Sequence, residues 1–474
     1  MLFASLTFLI GFLPVALAGA MLSARFFGTR GAVGFLSAAS FVFYGWHYPP
    51  YVVLLAGAIG VNYLLARRIH RRKSKGMATI AVAVNLGLLG WFKYAGFMAE
   101  MVTAISGANV GLPAIVLPLG ISFFTFQQIA YLVDIYQGKA RPGALMNYVF
   151  LISFFPQLIA GPIVHHREVI PQLSQDRFAR FHAEDVAAGL LLFCIGLAKK
   201  VLLADSLAQG ADGLFAAQAL GVGISALESW LGMICYTFQI YFDFSGYSDM
   251  ALGLGLIFGL KLPENFRSPY KSLNIIDFWR RWNITLSTFL RDYLYLPLGG
   301  NQKGPVRRYV NLWIVMLLGG LWHGAGLQFV VWGALHGFYL TVNHIWVRHS
   351  GVALPRAAGL GLTFVCVVVA WVFFRAGDFA QAFAILRAMT GGSAPPLFAL
   401  EIFAAADLLI AIVLLSSLIV WFAPNSYDLV DRFNRGALPP SRATALVQTA
   451  GVLAAAAMFK LYASGSYAFI YFQF

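Results

Sequence analysis

The feature that most constrains this chain is a series of apolar segments of roughly membrane-spanning length that recurs along almost the whole sequence. The series begins with Leu2 to Ser23, Ala32 to Trp46 and Tyr51 to Ala66, and it ends with Ala443 to Tyr462. Hydrophobic residues make up 60% of the 474 residues and charged ones only 11%, which is far more apolar than a water-soluble domain. The sequence predicts an all-α polytopic membrane protein with about ten to thirteen transmembrane helices and some re-entrant segments.

The basic residues predict how the chain crosses the membrane, because cytoplasmic loops carry an excess of Lys and Arg. The densest cluster, Arg67 to Lys75, is therefore expected in the cytoplasm, with both termini on the outer side. No Lys or Arg precedes the first apolar run, which favours an uncleaved helix over a signal peptide. We predict one transmembrane domain over residues 1–474, including an extracytoplasmic tail over 463–474, in the cytoplasmic (inner) membrane of a bacterium.

The formal net charge of +14 does not indicate a nucleic-acid partner, because the basic residues lie in short clusters between apolar segments. Membrane lipids are the expected surroundings. The cysteines Cys194, Cys235 and Cys366 lie in apolar stretches without metal-ligand spacing, so no metal site is predicted. Signatures of bound nucleotide cofactors are absent, so no permanently bound cofactor is predicted.

Three apolar stretches are interrupted by polar residues, Gly or Pro: Phe154 to Pro171, Ser272 to Gly300, and Gly319 to Gly337. Non-helical backbone at membrane depth is tolerated only where protein buries it or a watery cavity wets it. These stretches are expected to line an interior cavity.

The third stretch contains two histidines, His323 and His336, thirteen positions apart. On one unbroken helix they would lie about 220° apart, so they can converge only if the helix breaks. Gly324 and Gly326 are candidates for that break. A neutral imidazole beside such an opening suits a general base, which makes His323 the candidate, with His336 in a supporting role. The alternative is that both rings only form hydrogen bonds between helices.

A second polar group lies between long apolar flanks and contains Asp243, Ser245, Ser248 and Asp249. Carboxylates at membrane depth are costly and should face partners in the protein interior. Ser245 and Asp249 share a helical face, so they are possible supporting residues of a site. A purely structural polar network explains the group equally well.

A third group combines Arg280, Arg281 and Arg291 with Trp279. Tryptophan and arginine often anchor a protein at the membrane interface. A cationic rim would also attract the phosphates of coenzyme A or of a carrier-protein phosphopantetheine. These residues are therefore candidates for binding a thioester donor such as acetyl-CoA, and both interpretations stay open.

Several motifs, in order, resemble the membrane-bound O-acyltransferase (MBOAT) family, in particular its alginate O-acetyltransferase branch and the related teichoic acid D-alanyl transferase. They are PLGISFFTFQ (118–127), FFPQLIAGPI (154–163), YFDFSGYSDMALG (241–253), NFRSPY (265–270), DFWRRWNITLS (277–287), GLWHGAG (320–326) and WVFFRA (371–376). The resemblance implies a ring of helices around a central tunnel, with His323 as the family's histidine and Asn283 at its upstream polar position. It also implies an acyl group that arrives as a cytosolic thioester.

The end of the chain, FIYFQF, resembles a terminal motif of this branch in which a tyrosine acts as an acyl relay. The resemblance implies that Tyr471 accepts the acyl group with His323 as base, and then passes it to a separate SGNH-type extracytoplasmic acetyltransferase. Polysaccharide export machinery would be a further partner. An interfacial aromatic residue is the alternative interpretation of Tyr471. Alternatives for the whole chain are a membrane transporter or channel, or an MBOAT enzyme that acylates lipid or protein; the acceptor polysaccharide cannot be inferred from the residues.

Overall fold

The computed structural model describes residues 1–107, 111–112, 115–175, 177–392, 399–403, 405–465 and 467–470. Within these ranges the chain is helical and contains no strand, as the sequence predicts. It divides into two compact units. Unit 1 comprises Met1–Leu197, Tyr247–Glu264 and Ser426–Gly465, and unit 2 comprises Ala198–Gly246, Asn265–Asn425 and Ser466–Phe474.

Unit 1 contains the N-terminal helices and the last two helices of the chain. They are α1 (Leu13–Gly45), α2 (Pro50–Arg72), α3 (Lys75–Ser106), α4 (Ile121–Tyr136), α5 (Leu145–Ser153), α6 (Phe155–Leu158), α7 (His166–Val169), α8 (Ala183–Ala198, of which the last residue belongs to unit 2), α18 (Ser426–Asn434) and α19 (Pro440–Ser464). The interruption predicted between Phe154 and Pro171 is present, because the helices there are short: the four-residue α6 and α7, and the start of a 3-10 turn, Ile170–Ser174.

Helix α1 is folded back on itself at Gly28, where φ is 67° and ψ is −164°. Glycine, which lacks a Cβ, adopts such a conformation at little steric cost. The rings of Phe12 and Phe43 lie 5.5 Å apart across the fold, and a Cβ on Gly19 would overlap the ring of Phe35. The two apolar segments expected at the start of the chain are therefore present as the two arms of one helical hairpin.

A buried amide network connects three helices of unit 1. Asn62 of α2 and Asn85 of α3 donate to each other's side-chain oxygen, at 3.1 Å and 2.6 Å. Asn62 also donates to the side chain of Gln128 on α4. In addition, Asn62 donates to the Ala58 carbonyl and Asn85 donates to the Ala81 carbonyl, each within its own helix. Such bonds stabilise helix association in lipid, where water offers no competing partner.

Unit 2 contains the helices in the middle of the chain. They are α9 (Asp205–Ala219), α10 (Ala226–Ile257, of which residues up to Gly246 belong to this unit), α11 (Ile275–Arg281), α12 (Ile284–Leu290), α13 (Gly304–His323), α14 (Leu327–His349), α15 (Arg356–Arg375), α16 (Phe379–Met389) and α17 (Ala406–Phe422). The short helices α11 and α12 and a π-helical turn, Arg291–Tyr295, form the interrupted stretch predicted between Ser272 and Gly300.

Within the described residues, six helical stretches are long and apolar enough to cross a membrane, or seven if α17 and α18 are counted as one broken span. This is fewer than the ten to thirteen helices predicted, in part because the hairpin of α1 is counted once. Helix α4, also counted in the prediction, has 16 residues, which at about 1.5 Å each is shorter than a hydrocarbon core of about 30 Å. The chain is a multi-pass membrane protein.

Candidate active site

The break predicted between the two histidines is present. His323 is the last residue of α13 and Leu327 is the first of α14. Between them Gly324 (φ −159°, ψ 156°) and Gly326 (φ −167°, ψ 147°) are extended. Any residue can adopt this backbone, so the need for glycine here is one of space: a Cβ on Gly324 would overlap the ring of Phe329.

Helices α13 and α14 pack backbone against backbone through glycine. A Cβ on Gly320 would overlap the carbonyl oxygen of Phe329, and one on Gly333 would overlap that of Met316. Small residues of this kind let helices in a membrane approach closely. The two helices therefore form a tight hairpin, and its turn presents His323.

His323 is enclosed by aromatic rings and is only 5% exposed. Its ring centroid lies 4.7 Å from that of Trp322, 5.0 Å from that of Trp332 and 5.0 Å from that of Phe374. All three contacts are edge-on. Aromatic walls exclude water, and at low dielectric a proton transfer or a developing charge responds strongly to neighbouring dipoles.

His336 contacts the same Trp332 ring, at 4.7 Å between centroids, so the break brings the two histidines to one shared neighbour. The Trp279 indole N–H donates to His336 Nδ1 at 3.2 Å. A ring nitrogen that accepts a hydrogen bond carries no proton, so the imidazole is neutral and bears its proton on Nε2. Among the described residues, Nε2 has no hydrogen-bond partner. The contact with Trp279 supports a role in holding helices together.

Asn283 occupies the link between α11 and α12. Its backbone is left-handed, with φ 43° and ψ 57°, a conformation that asparagine tolerates better than most residues. The side chain is 1% exposed, yet neither amide atom has a hydrogen-bond partner within the part of the chain that the structure describes. Buried polar groups are nearly always satisfied, so this amide is a candidate ligand-binding group.

A continuous row of aromatic contacts within unit 2 connects the C-terminal tail with His323. The row begins where Phe469 of the tail contacts Phe244, and it continues through Phe266, Trp282, Trp371 and Trp332. The ring centroids of successive residues lie between 4.9 Å and 5.8 Å apart. Trp332 in turn contacts His323. Trp282 is the residue before Asn283. The described tail residues thus belong to the same compact unit as the histidine.

The basic residues of the predicted donor-binding rim lie in unit 2 but have different surroundings. Arg280 is exposed. Arg281 Nε pairs with Asp277 at 2.9 Å, and Arg291 Nε pairs with Asp292 at 2.7 Å with its side chain 59% exposed. Trp279, predicted with them, has its indole N–H directed to His336 instead. The structure therefore places Trp279, predicted together with the rim arginines, at the histidine site.

The remaining predicted site residues are distributed as follows. Ser245 and Asp249 are both buried on α10, one turn apart. Asp249 Oδ2 accepts a hydrogen bond from the Ser426 hydroxyl at 2.7 Å within unit 1, which supports the structural interpretation of that carboxylate. Tyr471 lies outside the described residues.

The comparison with known families decides the class of this chain. The model of the membrane-bound O-acyltransferase family matches residues 141–376. The chain is 41% identical over 424 residues to the peptidoglycan O-acetyltransferase of Helicobacter pylori, with 82% of this chain and 80% of that protein covered. The chain belongs to the membrane-bound O-acyltransferase family.

Other relatives support the assignment of the chain to this family. A probable alginate O-acetylase of Pseudomonas putida is 37% identical, with 100% of both chains covered. The teichoic acid D-alanyltransferase of Bacillus subtilis is 28% identical, with 54% of this chain and 66% of that protein covered. The family resemblance inferred from the motifs is thereby confirmed.

Sequence reasoning missed Trp332, although it lies in the same interrupted stretch, Gly319 to Gly337, as both histidines. Trp332 and His336 are four positions apart on α14 and so share a helical face. Its Nε1 donor has no hydrogen-bond partner among the described residues. The acyltransferase also has a cavity of about 340 Å³ beside α14 and α15, lined by Tyr339 and Cys366 among others, and His323 does not line it.

Proposed function

We propose that this acyltransferase moves an acetyl group from a cytosolic thioester across the membrane for O-acetylation of an exported or cell-surface polysaccharide. The observation that carries the proposal is the position of His323, at a helix break, in an aromatic enclosure connected by ring contacts to the tail. The names of the relatives, a peptidoglycan O-acetyltransferase and probable alginate O-acetylases, support acetyl as the group and a glycan as the acceptor.

The architecture that fits this function is a single domain in the bacterial inner membrane, with a ring of helices around a tunnel and both termini outside. The donor, acetyl-CoA or an acyl carrier protein thioester, approaches from the side of the basic cluster between Arg67 and Lys75. Arg280, Arg281 and Arg291 attract its phosphates, since guanidinium groups bind phosphate in a bidentate fashion.

In the first step the Tyr471 phenol oxygen attacks the thioester carbonyl while His323 takes the phenol proton. The C–S bond then breaks, and the leaving thiolate recovers a proton from the imidazolium. A phenol with pKa of about 10 is a poor nucleophile while protonated, so it needs this base. The products are an aryl ester on the tail and free thiol.

Two donors with no partner among the described residues can stabilise the negative charge on the attacked carbonyl oxygen. They are the Asn283 amide and the Trp332 indole N–H. Donors fixed in a water-excluding site stabilise such an oxyanion more strongly than water does, because they need little reorganisation. His336, held by Trp279, supports the enclosure through Trp332.

In the second step the aryl ester passes its acetyl group to a hydroxyl of an SGNH-type extracytoplasmic acetyltransferase. That partner acetylates the polymer delivered by the polysaccharide export machinery. The reaction needs no permanently bound cofactor in this chain, because the thioester supplies the activated acyl group.

The experiment that tests this function uses vesicles that contain the purified chain in one orientation. Radiolabelled acetyl-CoA is supplied on the side of the 67–75 cluster, and a purified SGNH protein is supplied on the other. Label is expected on the SGNH protein. Label that stays on the donor side, with an intact and active SGNH protein, would contradict the proposal and favour a different acceptor. Unreacted labelled donor on the other side would favour a transporter.

A chain-length series distinguishes polysaccharide acetylation from acylation of lipid or protein. Acetyl-CoA is compared with octanoyl-CoA and palmitoyl-CoA at equal concentration. We expect acetyl transfer to be fastest. Faster transfer of palmitoyl would support the enzyme class that acylates lipid or protein.

A further inference from the structure

A buried group of three charged residues lies in unit 2, apart from the histidine site. Lys200 Nζ is 2.7 Å from Asp205 Oδ1 and 2.7 Å from Asp243 Oδ1. The exposed fractions are 6%, 2% and 2%. Charged groups inside membrane proteins are costly and commonly functional. A carboxylate can also accept more hydrogen bonds than one shared lysine supplies.

A π-helical segment of the backbone brings two members of this group together. Residues Lys199–Ala204 form a π-helical segment between α8 and α9. The Asp205 N–H donates to the Lys200 carbonyl, five residues earlier, so the two side chains lie side by side. Single π turns of this kind are frequent at functional sites. Asp243 joins them from α10.

The further donor comes from the end of the chain. The backbone N–H of Ile470 donates to Asp243 Oδ2 at 2.6 Å. Ile470 is 1% exposed and Phe469 is 2% exposed. The Phe469 ring packs edge-on against Phe244, the residue after Asp243, at 5.8 Å. Within the described part of the tail, a charge-assisted hydrogen bond and an aromatic contact therefore hold the adjacent residues Ile470 and Phe469.

We propose that Asp243, paired with Lys200, is a positioning residue that seats the C-terminal tail in a fixed register through the backbone N–H of Ile470. A bond to the main chain fixes which residue lies at the carboxylate, whatever its side chain. Tyr471 follows Ile470 in sequence, so this anchor limits where the tail can place its phenol. The docking itself does not depend on the proposed function, but its effect on acyl transfer does.

The experiment measures hydrogen–deuterium exchange of the tail peptide by mass spectrometry in the purified full-length chain. Asp243→Asn removes the charge and weakens the acceptor while Lys200 stays paired with Asp205. We expect tail amides to exchange on the order of tenfold faster, since hydrogen bonds to charged groups are among the stronger ones in proteins. Asp212→Asn is the matched control, because Asp212 pairs with Arg375 in the same unit but is 43% exposed. It should leave tail exchange unchanged.

A second variant, Ile470→Pro, deletes the donor and leaves all three charged side chains in place. It keeps the test decisive if Asp243→Asn folds poorly. The amides before position 470 should again exchange faster. Unchanged tail exchange in both variants would overturn the proposal.

Transfer of radiolabel from acetyl-CoA to the chain is measured on the same samples. Faster tail exchange together with reduced labelling supports both the docking and the relay. Faster exchange with undiminished labelling supports the docking and contradicts an effect of the anchor on acyl transfer. The failure of one proposal is thus distinguishable from the failure of the other.

Discussion

Two regions of this acyltransferase contain buried asparagines, and the side-chain amides of the two regions differ in their hydrogen bonding. In unit 1, Asn62 and Asn85 bind each other reciprocally and each also donates to a carbonyl of its own helix. In unit 2, Asn283 is as deeply buried, but its amide has no hydrogen-bond partner in the described part of the chain. The first arrangement connects helices, and the second keeps an amide available.

The backbone around these asparagines also differs between the two regions. Asn62 and Asn85 lie within long regular helices, α2 and α3. Asn283 lies at a left-handed residue between two short helices and beside Trp282, one of the rings that lead to His323. A polar group left unsatisfied in an apolar interior has a cost in stability. That cost is expected where a substrate supplies the missing partner.

The largest effect predicted from this comparison is on catalysis at Asn283. Asn283→Gly removes the amide and keeps a residue that tolerates the positive φ. We expect the rate of acyl transfer to fall by about 10² to 10³, as when one oxyanion-stabilising donor is removed, with little change in unfolding. An unaltered rate would show that the amide does not face the reacting group.

The opposite result is expected for Asn85→Ala. It breaks the reciprocal pair with Asn62, so the free energy of unfolding in detergent should fall by about 1 kcal/mol. The rate per folded molecule should stay within about twofold of wild type, since no step of the reaction uses this residue. A loss of rate larger than that of Asn283→Gly would reverse the assignment of the two regions.

A loss of rate smaller than that of Asn283→Gly is expected at the turn that presents the histidine. Gly324→Ala forces the Phe329 ring to move, and Phe329 contacts Phe374 of the His323 enclosure at 5.2 Å. Overpacking of this kind costs about 1 to 3 kcal/mol, and we expect a rate loss of about tenfold. Gly361→Ala on α15 is the control, because a Cβ there meets no atom within 4 Å. Equal rates for both variants would show that the turn tolerates displacement.

Among the variants at the candidate site, the smallest effect is expected at the exposed rim. Arg291→Gln removes a guanidinium that is well exposed and already paired with Asp292. We expect KM for acetyl-CoA to rise about two- to fivefold at low salt, and kcat to stay the same, because exposed charge pairs contribute about 0.2 to 1 kcal/mol. The difference in KM between Arg291→Gln and wild type should vanish at high salt, because salt screens exposed charges. A fall in kcat that persists in high salt would place Arg291 in the reaction itself.

Much of the fold follows from local patterns in the sequence. The apolar segments predict the helices, and the glycines at 324 and 326 predict the break after His323. The number of spans could not be read in this way. Segment counting does not reveal that Leu13–Gly45 folds back at Gly28. Apolar helices that begin with charged residues, such as α13 with its two arginines, blur the distinction between spanning and interior helices.

The sequence indicated candidate site residues but not the contacts between them. His323, His336 and Trp279 were identified from motifs, whereas their common neighbour Trp332 was not, because one more tryptophan in a Trp-rich apolar chain carries little signal. The pairing of Lys200 with Asp243 joins residues that are distant in sequence. Such contacts depend on tertiary packing, which no short spacing encodes.

The most direct test of the account maps where the acyl group lies on the chain. Purified wild type, His323→Ala and Tyr471→Phe are incubated with radiolabelled acetyl-CoA and digested, and the labelled peptide is sequenced by mass spectrometry. We expect an ester on Tyr471 in wild type and no stable label in either variant. Label on another residue of wild type, or full labelling of Tyr471 in His323→Ala, would contradict the account.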